Sequence, residues 1–209
     1  MSSQLDSGTS VPMVVSVLRE LSSGIFELEL AHQGFAFEAG ECVVIFGPEG
    51  VSRPYSIASS PLEQGSLRVL FRKMPKGILT TWLCDWAIGD ELQVSYPFGD
   101  FRPNPAAQAG HSGPVFIATG VGIAPFLSAL RLAPVHQPKP ICIYGVRTLR
   151  DAIDRALLSD ASDLRLAVSR DEGAGLHHGH VNALVQALDL QQPRHYYLCG
   201  LDAMVYTLS

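Results

Sequence analysis

Ile117-Ala118-Thr119-Gly120-Val121-Gly122-Ile123-Ala124-Pro125-Phe126 runs from an apolar segment through two glycines into a helical pattern. Val115 to Ala118 reads as a strand, and Pro125 suits the first turn of the helix that follows. Gly120 and Gly122 allow a tight backbone with no Cβ in the way, and the opening helix offers N–H groups and a positive dipole end. This is not the three-glycine dinucleotide fingerprint, because Pro125 stands where the third glycine would be. Two-glycine turns are structural about as often as they are phosphate sites; this one lies directly between an expected strand and an expected helix.

The same alternation continues on the C-terminal side. Ile141 to Tyr144, Leu164 to Val168 and His195 to Leu198 read as continuous apolar strands. Ile123 to Leu132, Ala152 to Ser159 and Val181 to Leu188 carry helical patterns. Buried strands alternating with helices predict an α/β domain over 114–209, built on a parallel sheet covered on both faces. Ligands of such sheets lie where the strands end and the chain turns into a helix. Ser169 and Arg170 follow one strand, and a hydroxyl beside a guanidinium fork suits a phosphate, or simply a solvated turn. Cys199 and Gly200 follow another and place a thiol beside a glycine.

Upstream, Pro103 to Gly113 is rich in Pro, Gly and small residues and reads as a linker. Before it the period changes. Met13 to Arg19, Ile25 to Leu30, Cys42 to Phe46, Tyr55 to Ala58, Leu67 to Arg72 and Glu91 to Ser95 are short β-rich runs between turn residues. Six strands and one helix, Ile78 to Ala87, predict a closed six-stranded antiparallel β-barrel over 11–103. Within it, Arg53-Pro54-Tyr55-Ser56-Ile57-Ala58-Ser59-Ser60 concentrates a cation, a ring and hydroxyls. Pro54 disfavours helix for Arg53, so the run is extended and alternates: Arg53 and Tyr55 share one face, Pro54 and Ser56 the other. That is a place for a phosphate beside a flat ligand, or a surface strand with a snorkelling Arg. Gly77-Ile78-Leu79-Thr80 opens the helix and again offers amides and a hydroxyl, or an ordinary N-terminal turn. Leu79, Trp82, Leu83 and Trp86 read as packing residues.

Composition narrows the function classes. The chain has 209 residues, 47% hydrophobic and only 17% charged, which is a globular composition. Its net charge of −5 argues against a nucleic-acid binder. Met1 to Ser10 lacks the pattern of a signal peptide, and no apolar run is long enough for a membrane span, so a soluble cytoplasmic protein is expected. Cys42, Cys84, Cys142 and Cys199 are scattered, with no CxxC pair, and three of them read as small buried apolar residues. His177, His178 and His180 sit in a Gly-flanked loop read as a solvated turn, so no metal site is expected.

Taken as a series, these motifs resemble the ferredoxin–NADP reductase superfamily. They are Arg53-x-Tyr55-Ser56, Gly77-x-x-Thr80, Gly89-Asp90 before Pro97-Phe98-Gly99, Thr119 to Phe126, and Cys199-Gly200 with Met204, in the family's order and spacing over about Val11 to Met204. The resemblance implies a flavin-binding barrel followed by a nucleotide-binding α/β domain. Arg53 would neutralise flavin phosphate, with Pro54 in the same strand; Tyr55 would lie against the isoalloxazine ring and Ser56 near its N5. Gly77, Ile78, Leu79 and Thr80 would hold the pyrophosphate of FAD, FMN being the lesser alternative. Thr119, Gly120, Gly122 and Pro125 would receive NADPH or NADH, Cys199 and Gly200 would sit near the nicotinamide, and Ser169 and Arg170 would meet the 2′-phosphate. Ser56 and Cys199 are the residues nearest the chemistry.

The implied activity is an FAD-dependent NAD(P)H oxidoreductase that passes single electrons to a separate acceptor: ferredoxin, flavodoxin or an oxygenase component. The alternatives are a flavin reductase with flavin as a diffusing substrate, and a non-catalytic flavin-binding subunit. The family pattern continues beyond the Met204 position with a final helix and strand, so a shortened C-terminal edge is expected here. With that tail absent, Tyr55 is the only motif-supported aromatic contact to the flavin.

Overall fold

The computed structural model describes residues 10–107, 112–132, 138–172 and 176–208. The chain divides into two units, Met1–Arg102 and Pro103–Ser209. Residues 1–9 of the polar N-terminal stretch and 108–111 of the expected linker lie outside the described residues.

The first unit is an antiparallel barrel. Its strands are β1 (Ser10–Ser22), β2 (Ile25–Ala31), β3 (Cys42–Phe46), β4 (Ser52–Ser56), β5 (Ser66–Arg72) and β6 (Glu91–Ser95), ordered β4-β3-β6-β1-β2-β5. The two outer strands are joined by the residues that follow β4. Ile57 bridges Val69, the Ala58 N–H donates to the Arg68 carbonyl at 2.7 Å, and the Ser59 hydroxyl accepts from the Arg68 N–H at 3.0 Å. Alternation along the strands sends Leu28 and Leu30, Val43 and Ile45, and Leu67, Val69 and Phe71 into one core. Two register shifts bend β1, the longest strand, so that it can pair with both β2 and β6.

Helix α1 (Ile78–Leu83) is shorter than its sequence pattern. It stops because the amides of Cys84 and Asp85 turn back to the carbonyls of Thr81 and Trp82, three residues earlier. Leu79 and Leu83 are buried as expected, whereas Trp82 and Trp86 cover the core only partly and pack edge-on at 4.7 Å. β4 starts at Ser52, three residues before the expected strand, because the 47–51 loop folds tightly enough to bring Ser52 opposite Phe46.

The second unit is a parallel sheet. Its strands are β7 (Val115–Thr119), β8 (Ile141–Val146), β9 (Asp163–Val168), β10 (His177–His178) and β11 (Tyr196–Cys199), ordered β10-β9-β8-β7-β11. The helices are α2 (Ala124–Leu130), α3 (Arg155–Ala161), α4 (Val181–Gln186) and α5 (Asp202–Leu208). Val115, Ile117, Ile141, Ile143 and Ala167 from the strands, with Val181 and Met204 from the helices, form one core. A 3₁₀ turn, Gly120–Ile123, precedes α2. β10 was not legible: His177 and His178 read as a turn, yet they pair with Ala167 and Val168 at the sheet edge.

Only Cys142 is fully buried, in place of the three cysteines expected, and burial pushes its thiol up to about 12. Cys42, Cys84 and Cys199 are half-buried, because each lies at the end of a strand or helix rather than inside it. Among the described residues no helix is long and apolar enough to cross a membrane.

Glu27 on β2 is 3% exposed and takes Arg19 on one carboxylate oxygen and Arg68 on the other, both at 2.8 Å. Removing a buried carboxylate that two guanidiniums share costs more than its net worth, because the cations lose their counter-charge. Glu27→Ala is therefore expected to lower stability by about 3 kcal/mol. Arg19, which is 61% exposed, should lose under about 1 kcal/mol on truncation. Urea denaturation of the two variants checks the ordering.

Candidate functional site

In the first unit the β3–β4 register sets the side-chain faces. Tyr55 lies opposite the buried Val43 and Arg53 opposite the buried Ile45, so cation and ring share a face as the alternation predicts. Arg53 is exposed, and its Nη1 donates to the Ser52 carbonyl at 2.7 Å. Tyr55 is half-buried with its ring edge-on to Phe71 at 6.3 Å. Burial pushes its phenol up to about 12, against an opposing effect of the Arg53 charge, so the ring stays neutral at physiological pH. Ser56 and the exposed Pro54 occupy the other face, and the Ser56 hydroxyl lies 3.5 Å from the Cys42 sulfur.

At α1, Gly77 is the N-cap and supplies no side-chain bond. The amides of Ile78, Leu79 and Thr80 are the helix's first three and have no acceptor within it. The Thr80 hydroxyl, read in sequence as facing a ligand, instead closes the turn: it accepts from the Met74 N–H at 3.1 Å and donates to the Gly77 carbonyl at 3.4 Å. Leu79 is buried, so only its backbone can face outward. Beside the turn runs an open groove of about 420 Å³ lined by Lys76, Gly77, Ile78, Thr81, Trp82 and Asp85. Lys76 is a cation the motif reading passed over.

In the second unit, two glycine turns interlock at the C-terminal ends of the adjacent strands β7 and β11. A Cβ on Gly122 would stand 2.5 Å from the Gly200 Cα and 2.6 Å from the Cys199 carbonyl oxygen. A Cβ on Gly200, at φ +147, would fall on the Thr119 hydroxyl and 2.8 Å from the Thr119 nitrogen. That hydroxyl accepts from the Leu201 N–H at 2.8 Å. Thr119, Gly120, Gly122, Cys199 and Gly200 are thus brought together, with Pro125 buried in α2 just beyond. The close approach that the sequence assigned to a ligand at Gly122 is made at least as much by the protein's own backbone.

Two strands away, the amides of Ser169 and Arg170 donate to the carbonyls of Val146 and Arg147 at 3.1 and 2.8 Å. Exposed Arg147 therefore flanks exposed Arg170 at the end of the neighbouring strand. The sequence reading missed Arg147, although Arg147 follows β8 closely, as Arg170 follows β9. His178 Nδ1 lies 3.1 Å from the Asp171 carbonyl oxygen. Among the described residues no group of three or more His, Cys, Asp and Glu is placed to hold a metal ion.

Comparison with known proteins gives two family matches in sequence order. Residues 12–102 match the oxidoreductase FAD-binding domain and residues 116–209 the oxidoreductase NAD-binding domain. The chain is 31% identical over 182 residues to the reductase subunit of an aromatic O-demethylase from Amycolatopsis sp., covering 81% of this chain and 54% of that protein. It is 32% identical over 149 residues to the phthalate 4,5-dioxygenase reductase subunit of Pseudomonas putida, covering 68% and 44%. It is 30% identical over 213 residues to ferredoxin–NADP reductase B of Sorangium cellulosum, covering 90% and 85%. The chain thus spans about half the length of the two reductase-subunit relatives and most of the third. Among solved structures, an Amycolatopsis cytochrome P450 reductase superposes with a TM-score of 0.78 at 27% identity, over 95% of this chain and 64% of that one. A Neisseria gonorrhoeae ferredoxin–NADP reductase shares the fold with a TM-score of 0.78 at 19% identity, over 95% and 88%.

The interlock is sensitive to a single methyl. Gly122→Ala and Gly200→Ala are each expected to lose about 2–3 kcal/mol, because backbone atoms rather than a flexible side chain must give way. Thermal melts should show both below Gly34→Ala, whose Cβ would meet nothing within 4 Å and whose cost is confined to its left-handed φ of +66.

Proposed function

From the premise that the chain belongs to the ferredoxin–NADP reductase superfamily, we propose that it is an FAD-dependent NAD(P)H reductase delivering electrons to a separate acceptor protein. Residues 11–103 form its flavin-binding domain and 114–209 its nicotinamide-nucleotide domain. The observation that carries the reading is β4: an exposed guanidinium and a half-buried neutral phenol share one face two residues apart. That donor set fits a flavin nucleotide, with charge for its phosphate and an uncharged plate for its ring.

Bound FAD supplies a two-electron acceptor for hydride from the nicotinamide and can release its electrons singly. The chain's own groups bind and orient. Arg53 holds phosphate charge, Tyr55 fixes the plane of the ring, and Ser56 offers a hydroxyl at the end of the strand. The amides of Ile78, Leu79 and Thr80 face the pyrophosphate, and Lys76 adds charge beside them. The turn from Thr119 to Gly122 and the Cys199–Gly200 turn hold the nucleotide, with Cys199 nearest the nicotinamide. No side chain needs to titrate for this chemistry; the contribution of the protein is proximity and electrostatics.

Ser169 and Arg170 meet the 2′-phosphate of NADPH, and Arg147, brought alongside by the β8–β9 pairing, joins them. The Pseudomonas putida relative is the reductase subunit of a dioxygenase, which supports an oxygenase component as the acceptor, with ferredoxin or flavodoxin as the other candidates.

The purified chain is expected to take up FAD, turn yellow and bleach anaerobically with NADPH. A protein that binds no FAD overturns the proposal, and one that uses only free flavin at saturating concentration is a flavin reductase instead. Arg53→Ala should weaken FAD binding by about tenfold or more, the loss of a charge-assisted hydrogen bond of roughly 1.5–3 kcal/mol. Arg170→Ala should lower kcat/KM for NADPH by a similar factor and leave NADH unchanged; equal loss with both nucleotides removes Arg170 from the 2′-phosphate.

A further inference from the structure

Cys42 is the residue directly across the barrel wall from Ser56. Its backbone N–H donates to the Phe98 carbonyl at 2.8 Å, and its carbonyl accepts from the Phe98 N–H at 3.0 Å. Both of its backbone polar groups thus point away from β4, and the neighbouring bond runs from the Ile57 N–H to the Glu41 carbonyl at 3.0 Å. Cys42 and Ser56 therefore form a non-hydrogen-bonded antiparallel pair, the kind that holds facing side chains closest. The Cys42 Sγ lies 3.5 Å from the Ser56 Oγ, and either atom can be the donor.

We infer that Cys42 is a positioning residue for Ser56, a reversible hydrogen-bond partner that lets the hydroxyl face the flavin either as donor or as acceptor. This rests on the reading that Ser56 meets the flavin near N5. That nitrogen accepts a hydrogen bond in the oxidised ring and donates one in the two-electron-reduced ring. A single hydroxyl facing it must donate in the first state and accept in the second. When Ser56 donates outward, its oxygen takes the Cys42 S–H; when it accepts, its hydrogen turns onto the Cys42 sulfur. Thiol and hydroxyl each carry one donor and an acceptor, so the exchange needs only two bond rotations and no proton leaves the pair. A side chain with one polarity would favour one state.

The test uses the full chain loaded with FAD, measuring the midpoint potential by equilibration with reference dyes and the FAD affinity separately. Cys42→Val removes the partner at similar size. A hydroxyl donates more strongly to sulfur than a thiol does to oxygen, so the reduced state loses more. The ratio of reduced to oxidised flavin affinity is expected to fall by about tenfold, which lowers the potential by about 30 mV for a two-electron couple. Cys42→Ser, which keeps donor and acceptor, should restore the potential. In a Ser56→Ala background, Cys42→Val should have no further effect. If the branched residue hinders folding, Cys42→Ala carries the same expectation. The inference is overturned if both apolar variants leave the potential unchanged, or if the shift persists without the Ser56 hydroxyl. A wild-type chain that binds no FAD brings down the flavin reading and this inference together. Normal FAD binding with an unmoved potential in Cys42→Val brings down the inference alone.

Discussion

The first unit depends on one seam. The run from Ser52 to Ser59 pairs with β3 through Ser56 and then changes partner, meeting β5 from Ile57 onward. Without that switch the six strands would be an open sheet with two exposed edges, and β4 and β5 would each leave a row of amides unpaired. Closure also decides which groups remain for chemistry. The Ser59 hydroxyl is bonded to β5, which leaves the side chains of Arg53, Tyr55 and Ser56 as the seam's candidates for a ligand. A ligand site built on a barrel closure inherits the rigidity of the barrel.

The second unit meets the same demand differently. Parallel strands cannot be tied by hairpins, so the ends of β7 and β11 are held by backbone contact between Gly122 and Gly200, and by the Thr119 hydroxyl bonded to the Leu201 amide. These contacts leave no room for any Cβ, which is why glycines appear there whether or not a nucleotide is bound. The glycines are a poor signal of function taken singly, since packing alone would require them. Their value lies in where they place Cys199 and the amides of the turn.

Much of the architecture was legible because its causes are local. The period-two runs of the barrel, the continuous apolar runs of the sheet and the Pro125 helix start all follow from neighbouring residues. What was not legible depends on pairing. β10 has only two residues and is a strand solely because β9 lies beside it. Arg147 became a candidate only when the Arg170 amide was found on its carbonyl, and Cys42 only when the β3–β4 register set it against Ser56. Thr80 depends on pairing in the opposite sense: its type and position suit a ligand, and its hydroxyl accepts from the Met74 amide and donates to the Gly77 carbonyl, partners that the motif alone does not reveal.

The pair Arg147 and Arg170 shows how a register creates a charge pattern that no single strand carries. Arg147 is the first residue past Val146 and Arg170 the second past Val168, and the Arg170 amide donates to the Arg147 carbonyl, so the two arginines end up on neighbouring strand ends. Like charges at neighbouring strand ends repel, at small cost where both are exposed to water. One oxygen of the Asp171 carboxylate, next in sequence to Arg170, accepts from the Leu149 amide at 2.6 Å. An anion bound at these strand ends would relieve that repulsion and give a guanidinium fork an acceptor. On the proposed reading, a dianionic phosphate would gain more at this edge than a neutral ribose hydroxyl would, through strand register as well as through the arginines themselves.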